Sequence, residues 1–480
     1  MKKILIILTG FLLLTSCEKW LDVNNNPNSA TEVKPDNLFG YAVVAWSGNR
    51  CGGDSYLPIG FSAQTLATGG SYGWGYAEDR YDLSTFSLGN TWKLYYSTAA
   101  NNLRLAIKIA EETVPVNNNI IAQCNIIDAF LAYESTMIYG DEPFSEAWDE
   151  KINAPAFDPQ KKVLEGALGL IDEALGQINQ DDPVRITDSD PFYNGDMSKW
   201  IKVARSLKFR ILMTMVDKMP EKASDIKKLV EEGNMISSVD DNFLFPWLNE
   251  PNKGNPKFKL FDKYTSGQNL WIFANKNVFD YMSPVNDPRI PRYFDPGPEA
   301  APDEYKAVET ATEADGTFSL ISDYLNRQDA PDVIFSYQEQ LFFEAEVYAR
   351  GIGVSKDMAK ASELYKQAVE EACLFYEVGP ADAEAFAASL DDLTTLSDQE
   401  AIDAIHLQQW VDLMDRPLEA WIQWRRSGEA GKEVPTLKLP DGAPAGGLIR
   451  RWVYPADELT ANPKAPDNLP KIYEKMWFDL

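Results

Sequence analysis

The stretch QEQLFFEAEVYARGIGVSKDMAKASELYKQAVEEAC, residues 338–373, contains two helix-like segments separated by Gly351 and Gly353. Apolar residues recur in both segments at the spacing of an amphipathic helix, and the glycines indicate a turn between them. In the second segment the small residues Ala361 and Ala368 stand on either side of Tyr365. Small side chains let a neighbouring helix close on a bulky ring, so the stretch predicts a helical hairpin.

Three further pairs of helical segments extend this pattern along the chain. Pro115 separates the members of the first pair, and Pro220 stops the second member of the next pair. We therefore predict a mostly α protein whose scaffold consists of about four hairpins like those of tetratricopeptide repeats, that is, TPR-like units. The additional pairs are residues 90–107 with 120–138, 163–178 with 198–219, and 398–414 with 417–426.

Long stretches rich in glycine, proline, asparagine and aromatic residues lie between the helical pairs. They cover residues 50–87, 243–302 and 432–470, which is too long for simple connections. A rigid scaffold that carries long ordered loops is a common way to build a binding face, because the loops adapt while the scaffold positions them. We expect the functional residues in these loops.

The amino terminus has the form of a bacterial lipoprotein signal. Lys2 and Lys3 precede an apolar run, and Leu14-Thr15-Ser16-Cys17 fits the lipobox. We predict a signal peptide over residues 1–16, a lipid on Cys17, a tether over residues 17–37 rich in asparagine, proline and aspartate, and a single domain over residues 38–480. The alternative is an ordinary cleaved signal in which the cysteine is incidental.

Composition excludes several classes of protein. The formal net charge of −28 repels phosphate backbones, so nucleic acid is not an expected partner. A hydrophobic content of 45% with 12% aromatic residues excludes a disordered chain. Besides Cys17, the chain has Cys51, Cys124 and Cys373, of which at most one pair can form an internal disulfide, and the sequence leaves open whether any pair does.

Motifs for catalysis and metal binding are present only in fragments. Residues 69–73, GGSYG, match G-x-S-x-G, but residues 62–67 have a helical pattern where a strand is required, and His406 is the sole histidine. A glycosidase needs two positioned carboxylates, and Glu78 and Asp82 lie close together in the sequence. In so acidic a chain such closeness is expected by chance. Pro27 replaces the glycine of a possible calcium loop, and no zinc spacing occurs. We predict no enzymatic activity, no metal and no cofactor.

The loop around residue 75 carries the better hypothesis, a platform for a sugar. Aromatic rings alternate with glycines there, so flat faces can stand exposed against the apolar face of a sugar ring. Nearby polar side chains could hydrogen-bond the sugar hydroxyls, and the alternative is that the rings pack down onto the scaffold. The predicted rings are Tyr72, Trp74, Tyr76 and Tyr81, and the predicted polar contacts are Asp79 and Arg80.

Several segments, in a fixed order along the chain, resemble one family. Residues 139–147, YGDEPFSEA, are similar to its YGDVPYSEA segment, and residues 286–289 match its NDPR turn. The block from Trp410 to Asn462, with WRRSG at 424–428 and RRWVYP at 450–455, is the most specific part. On these motifs the chain resembles the SusD-like branch of the SusD/RagB outer-membrane nutrient-binding lipoproteins of Bacteroidota.

The resemblance implies a mostly helical body with four TPR-like units, anchored by lipid in the outer membrane and facing the cell exterior. It also implies a SusC-like TonB-dependent transporter as partner, and binding rather than catalysis. An oligosaccharide is the expected ligand, a peptide is the alternative, and a surface glycoside hydrolase is the rival class. Because family ligands contact the early and central loops, Trp271 joins the predicted site, with Trp247 as a weaker candidate.

Overall fold

The computed structural model describes residues 33–70, 78–84, 88–259, 272–444 and 446–480. Within these ranges the protein is mostly helical and its strands are short, which confirms the predicted fold class. Cys17, most of the predicted tether and the rings of Tyr72, Trp74, Tyr76 and Trp271 lie outside the described residues. The first helix begins at Pro35, inside the range assigned to the tether.

Helices of the first half supply two of the predicted hairpins. The segment predicted over residues 90–107 consists of a short helix, a π-helical stretch over Leu94–Ala100 and a further helix, which pack against the second member of the pair. The helices are α1 (Pro35–Gly52), α2 (Leu57–Ser62), α3 (Gly89–Lys93), α4 (Asn101–Glu111), α5 (Asn118–Tyr139), α6 (Gln160–Gln177), α7 (Met197–Met215) and α8 (Ala223–Glu232).

The second half contributes the other two hairpins, α11 with α12 and α14 with α15, and the observed bounds agree with the predicted ones to within two residues. The helices are α9 (Lys276–Met282), α10 (Ile290–Tyr293), α11 (Tyr337–Arg350), α12 (Met358–Phe375), α13 (Pro380–Ser389), α14 (Asp398–Asp412), α15 (Pro417–Arg426) and α16 (Ala456–Ala461).

Capping residues define where several of these helices begin. Asp196 accepts hydrogen bonds from the backbone amides of Ser198 and Lys199 at the start of α7. Ser397 and Glu400 form a reciprocal capping box at the start of α14. Each such cap satisfies amides that have no partner within the helix and contributes about 1 kcal/mol.

Helix α5 is buried on all sides, as expected for the central helix of a bundle. Its polar side chains are therefore paired. Glu134 accepts hydrogen bonds from the indole of Trp46 at 2.7 Å and from the hydroxyl of Tyr95 at 2.9 Å, and it forms an ion pair with Arg50. These contacts fix α1 and the π-helical stretch against α5.

Tryptophans form much of the hydrophobic core. Trp200, Trp421 and Trp424, which the helical spacing assigned to the core, have 2% or less of their surface exposed. Trp247 is also buried in this core, against Phe245. Cys51, Cys124 and Cys373 are buried free thiols, so the structure contains no disulfide among these three residues.

The strands form three small antiparallel sheets. One has four strands in the order β1-β5-β7-β6, and the others pair β2 with β3 and β4 with β8. The strands are β1 (Leu66–Ala67), β2 (Glu142–Pro143), β3 (Phe157–Asp158), β4 (Phe243–Phe245), β5 (Phe273–Ala274), β6 (Phe294–Asp295), β7 (Leu320–Ile321) and β8 (Asp332–Phe335).

Residues 62–67 are not the helix that their composition suggested. Helix α2 ends at Ser62, and the chain turns through Gln64, whose φ is +56°, into β1. A left-handed residue cannot continue a right-handed helix, so the pattern of apolar residues here reflects burial rather than helical structure.

Candidate ligand-binding site

The four-stranded sheet brings the two predicted ligand-binding segments to a common edge. Ala67 of β1 is paired with Phe273 of β5 in antiparallel register. Residues 71–77 follow β1 after three residues, and residues 260–271 end just before Ile272. Because the end of β1 and the start of β5 lie side by side, the attachment points of the two loops are adjacent.

A small apolar cluster supports this edge. Ala67, Phe273, Val308 and Leu320 are buried together, separately from the main core. Gly69 has a φ of +69°, and a side-chain carbon placed there would lie 2.4 Å from the Phe273 ring. Glycine is therefore required at this position, both for its backbone conformation and for its close approach to the ring.

Three residues other than glycine hold left-handed backbone conformations around the early loop. They are Gln64, Tyr81 and Leu88, with φ of +56°, +60° and +57°. Each such residue costs on the order of 1–3 kcal/mol unless its surroundings hold it in place, and such residues cluster at ligand clamps and active sites. The concentration of strain on either side of residues 71–77 therefore points to a functional role for this loop.

Gln64 ties the loop to two distant parts of the chain. Its side-chain amide nitrogen donates to the hydroxyl of Tyr81 at 2.6 Å and to the carbonyl of Lys438 at 2.8 Å. Its side-chain oxygen accepts a hydrogen bond from Asn277 at 2.7 Å. Tyr81 in turn donates to the carbonyl of Ser62 at 3.0 Å. The loop is thus anchored to α9 and to the carboxy-terminal segment.

Asp79 is a second anchor. Its carboxylate accepts hydrogen bonds from the hydroxyl of Thr68 at 2.7 Å and from the backbone amide of Ala311 at 3.2 Å. Burial raises the pKa of Asp79 to about 6, against the opposing effect of these hydrogen bonds. The carboxylate therefore links the loop to β1 and to the segment around residue 311.

Arg80 has a different environment from its neighbours. Its side chain is 55% exposed and lies 3.7 Å from the carboxylate of Glu313, which is 60% exposed. Glu313 also borders Gly70, where a side-chain carbon would meet its carboxylate. Arg80 and Glu313 thus form an exposed pair of opposite charges beside Gly70.

The predicted residues consequently fall into three groups. Arg80 is exposed, whereas Asp79 and Tyr81 are each 1% exposed and contact other parts of the protein. The remaining rings, Tyr72, Trp74, Tyr76 and Trp271, belong to segments outside the described residues. The sequence did not identify Gln64, Asn277 or Glu313, because their roles depend on contacts between segments far apart in the chain.

The described residues provide no group of three or more histidine, cysteine or carboxylate side chains arranged to hold a metal ion. The sole histidine, His406, is buried in α14, where its Nδ1 lies 3.2 Å from the carbonyl of Ser427 and its Nε2 lies 3.3 Å from Glu346. It is thus engaged within the helical scaffold. Across the described ranges, no helix is long and apolar enough to span a bilayer.

Comparisons with known proteins agree with this architecture. The SusD-like family model described as "Starch-binding associating with outer membrane" matches residues 56–455. No curated protein matches the chain.

Solved structures match over nearly the whole chain. A chitin-binding protein is 23% identical with a TM-score of 0.79, and the alignment covers 93% of this chain and 100% of that one. A SusD/RagB family protein from Bacteroides thetaiotaomicron is 18% identical with a TM-score of 0.78, covering 93% and 99%. A chitin-binding SusD homologue from Flavobacterium johnsoniae is 20% identical with a TM-score of 0.75, covering 93% and 97%. At these identities the likeness concerns the fold.

Proposed function

The chain belongs to the SusD-like family, as its sequence motifs predicted, and from this premise we propose that it is a surface lipoprotein that binds an oligosaccharide and delivers it to a TonB-dependent transporter of the outer membrane. The lipid on Cys17 would hold it at the membrane, with the body on the exterior side. The protein would act by binding alone, without a covalent step.

The observation that carries the proposal is the pairing of Ala67 with Phe273. Residues 71–77 follow β1 and residues 260–271 precede β5, so the segments that contain Trp74 and Trp271 both adjoin this pair of strands in the sequence. Rings from two loops could grip both faces or successive units of a sugar chain, a contact suited to their flat apolar surfaces.

The polar residues of the site would have separate roles. Arg80, exposed beside Glu313, would hydrogen-bond sugar hydroxyls directly. Asp79 and Tyr81 would position the loop from beneath, since both are buried and hydrogen-bonded to other segments. Tyr72 and Tyr76 complete the proposed platform with the two tryptophans.

Transport would depend on a difference in ligand affinity between two positions of the protein relative to the barrel. A ligand can shift such an equilibrium only as far as its affinities for the two states differ. The open position would load the sugar, and the closed position would present it to the transporter.

Isothermal titration calorimetry tests the ligand class. Chitin and starch oligosaccharides are the first probes, because two structural relatives are described as chitin binding and the family as starch binding. A peptide of similar length serves as the competing class. Saturable binding of a glycan is expected, whereas binding of the peptide alone, or hydrolysis of the glycan, would overturn the proposal.

Variants at the platform test the site. Trp74→Ala and Trp271→Ala should each weaken glycan binding at least tenfold, equivalent to about 1.4 kcal/mol. Tyr41→Ala is the matched control, because Tyr41 is an aromatic residue with 59% exposure on α1, outside the proposed site. Co-purification of a barrel protein with the tagged protein from detergent-solubilised membranes tests the partner, and its absence would contradict the delivery role.

A further inference from the structure

A cavity of about 170 Å³ lies at the junction of α1, α12 and α15, and none of the loop residues 64–70 or 78–84 lines it. Its volume exceeds the roughly 150 Å³ of an engineered protein cavity that binds benzene. It is therefore large enough for a small organic molecule, and Asp79, Arg80 and Tyr81 of the platform proposed above are not among its lining residues.

One wall of the cavity is a preformed network of buried charges. Arg50 forms ion pairs with Glu419 at 2.8 Å and with Asp332 at 3.2 Å, and the side chains of all three are 6% exposed or less. Lys257, 5% exposed, pairs with Asp415 at 2.8 Å, and the hydroxyl of Tyr56 donates to the same carboxylate at 2.5 Å. These contacts hold the polar groups in place without a ligand.

Arg416 supplies an unused hydrogen-bond donor in the cavity lining. Its two terminal nitrogens donate to Glu339 at 2.8 Å and to Asp412 at 2.5 Å. Its Nε–H has no hydrogen-bond partner among the described residues, although the side chain is only 4% exposed. A buried donor without a partner costs about 1–3 kcal/mol, so the interior of the lining is not fully satisfied by the protein's own groups.

The buried cations of the lining are already paired. Arg50 pairs with Glu134, Asp332 and Glu419, Lys257 pairs with Asp415, and Arg416 pairs with Glu339 and Asp412. An ionic ligand would bring an uncompensated charge into this setting, which is costly, whereas a neutral ligand with several hydroxyls could use donors and acceptors alike.

Aromatic rings complete the lining. Tyr324 and Phe375 are half-buried, and Arg327 and Glu377 stand beside them with 34% and 63% of their side chains exposed. Glu377 holds a left-handed conformation, with φ of +58°. The guanidinium groups of Arg327 and Arg292 lie over the Tyr324 ring, at 4.3 and 5.3 Å from its centre. The cavity thus has a rim built of Phe375 and an arginine-covered Tyr324, and an interior rich in hydrogen-bonding groups.

We propose that this cavity is a second binding site, for a neutral monosaccharide-sized polyol. One sugar ring presents both an apolar face for Phe375 and hydroxyls for Asp415 and the partly exposed Arg327. Its lining includes none of Asp79, Arg80 and Tyr81, so its test is read separately from that of the platform.

Calorimetry or ligand-observed NMR on the full-length protein tests this site. Glucose and N-acetylglucosamine are the neutral probes, and glucosamine and glucuronate are the charged ones. We expect saturable binding of at least one neutral probe and at least tenfold weaker binding of both charged probes. Absence of saturable binding by either neutral sugar, or equal binding of a charged one, would overturn the proposal.

Two variants locate the binding. Ala330→Leu places a larger side chain in the lining, and Tyr324→Leu removes a half-buried ring at the rim while leaving the charges intact. Each should weaken neutral-sugar binding at least tenfold. If Ala330→Leu does not fold, Tyr324→Leu alone still tests the site. Tyr41→Ala, outside both proposed sites, should leave neutral-sugar binding unchanged. Loss in Trp74→Ala without loss in the two cavity variants would assign the sugar to the platform and refute the second site.

Discussion

The side-chain amide of Gln64 donates a hydrogen bond to the hydroxyl of Tyr81 over 2.6 Å, and both residues hold left-handed backbone conformations. Gln64 and Tyr81 lie before and after residues 71–77 in the sequence, so this hydrogen bond joins the two sides of that segment. The left-handed conformations of both residues are held in place by this contact and by the contacts of Gln64 to Lys438 and Asn277.

Removing the Gln64 side chain should loosen the loop without unfolding the protein. In Gln64→Ala we expect faster amide hydrogen exchange over residues 78–84 and a several-fold to tenfold loss of glycan affinity. The reason is that the hydroxyl of Tyr81 and the carbonyl of Lys438 lose a partner, at a cost of about 1–3 kcal/mol for each buried group. The core helices should keep their exchange protection.

Gln399→Ala is the matched control, because this glutamine bonds only an exposed neighbour on α14, Asp403. Uniform loss of protection in Gln64→Ala would show instead that the residue stabilises the whole domain.

Asp79 should make stability depend on pH. Its pKa in the folded protein is about 6, above the ordinary value of 3.8, so the folded state binds the proton more tightly than the unfolded state. The resulting stabilisation is complete below the unfolded pKa and is lost as pH rises through about 6. Asp79→Asn, which remains neutral and can accept the same hydrogen bonds, should therefore be more stable than the natural protein at pH 8.

The expected gain in the free energy of unfolding for Asp79→Asn is about 1–3 kcal/mol at pH 8, from about 1.4 kcal/mol for each unit of pKa shift. Urea unfolding at pH 4, 6 and 8 measures it, and the difference should shrink towards pH 4. A difference that stays constant with pH would mean that the substitution acts through packing rather than through ionisation.

The sequence predicted the helices well because each is long and periodic. The range predicted for α15 coincides with the observed Pro417–Arg426, where Pro417 begins the helix. Helix α7 ends at Met215 rather than at the predicted residue 219. Met219, the residue directly before Pro220, has left the helical conformation, with φ of −133° and ψ of 74°. Helix α1 was not predicted, because its amphipathic pattern is weak and it is buried against α4 and α5.

The site could be predicted only in part. The Gly-Gly pair and the alternating aromatic residues indicated the loop, but the inward placement of Asp79 and Tyr81 depends on contacts between separate segments. Ala311, 232 residues along the chain, donates to Asp79, and Gln64 donates to Tyr81, which lies 17 residues after it. Local sequence carries no signal for such contacts.

The buried Glu346 should be essential for stability. Its carboxylate lies 2.8 Å from Arg426 and 2.6 Å from Arg350, with His406 at 3.3 Å. Burial opposes ionisation, but the surrounding cations, Arg426 foremost, hold the pKa of Glu346 well below its usual range. The stabilisation that ionised Glu346 gives to the folded state is therefore present above pH 4.5, and it is lost as the pH falls through the lowered pKa.

Glu346→Gln should reduce the free energy of unfolding at pH 7 by about 3–5 kcal/mol, because it leaves buried cations without their partner. The difference in unfolding free energy between Glu346→Gln and the natural protein should become smaller as the pH is lowered. Glu165→Gln is the matched control, since this glutamate lies 3.9 Å from Lys161 with 43% exposure, and the change there should be under about 1 kcal/mol. Equal effects of the two substitutions would contradict the role assigned to the buried network.

The lipid anchor rests on Cys17, which lies outside the described residues. A single acyl chain contributes about 0.8 kcal/mol per buried CH₂ and binds membranes only marginally, so a diacylglyceryl group with a further acyl chain would give stable anchoring. In Cys17→Ser, metabolic labelling with an alkyne fatty acid should disappear, and the protein should move from the detergent phase to the aqueous phase of a Triton X-114 partition. Ser16→Ala, which keeps a small residue before the cleavage site, should behave like the natural protein. If the Cys17→Ser protein still enters the detergent phase, the anchor lies elsewhere and the lipobox interpretation is wrong.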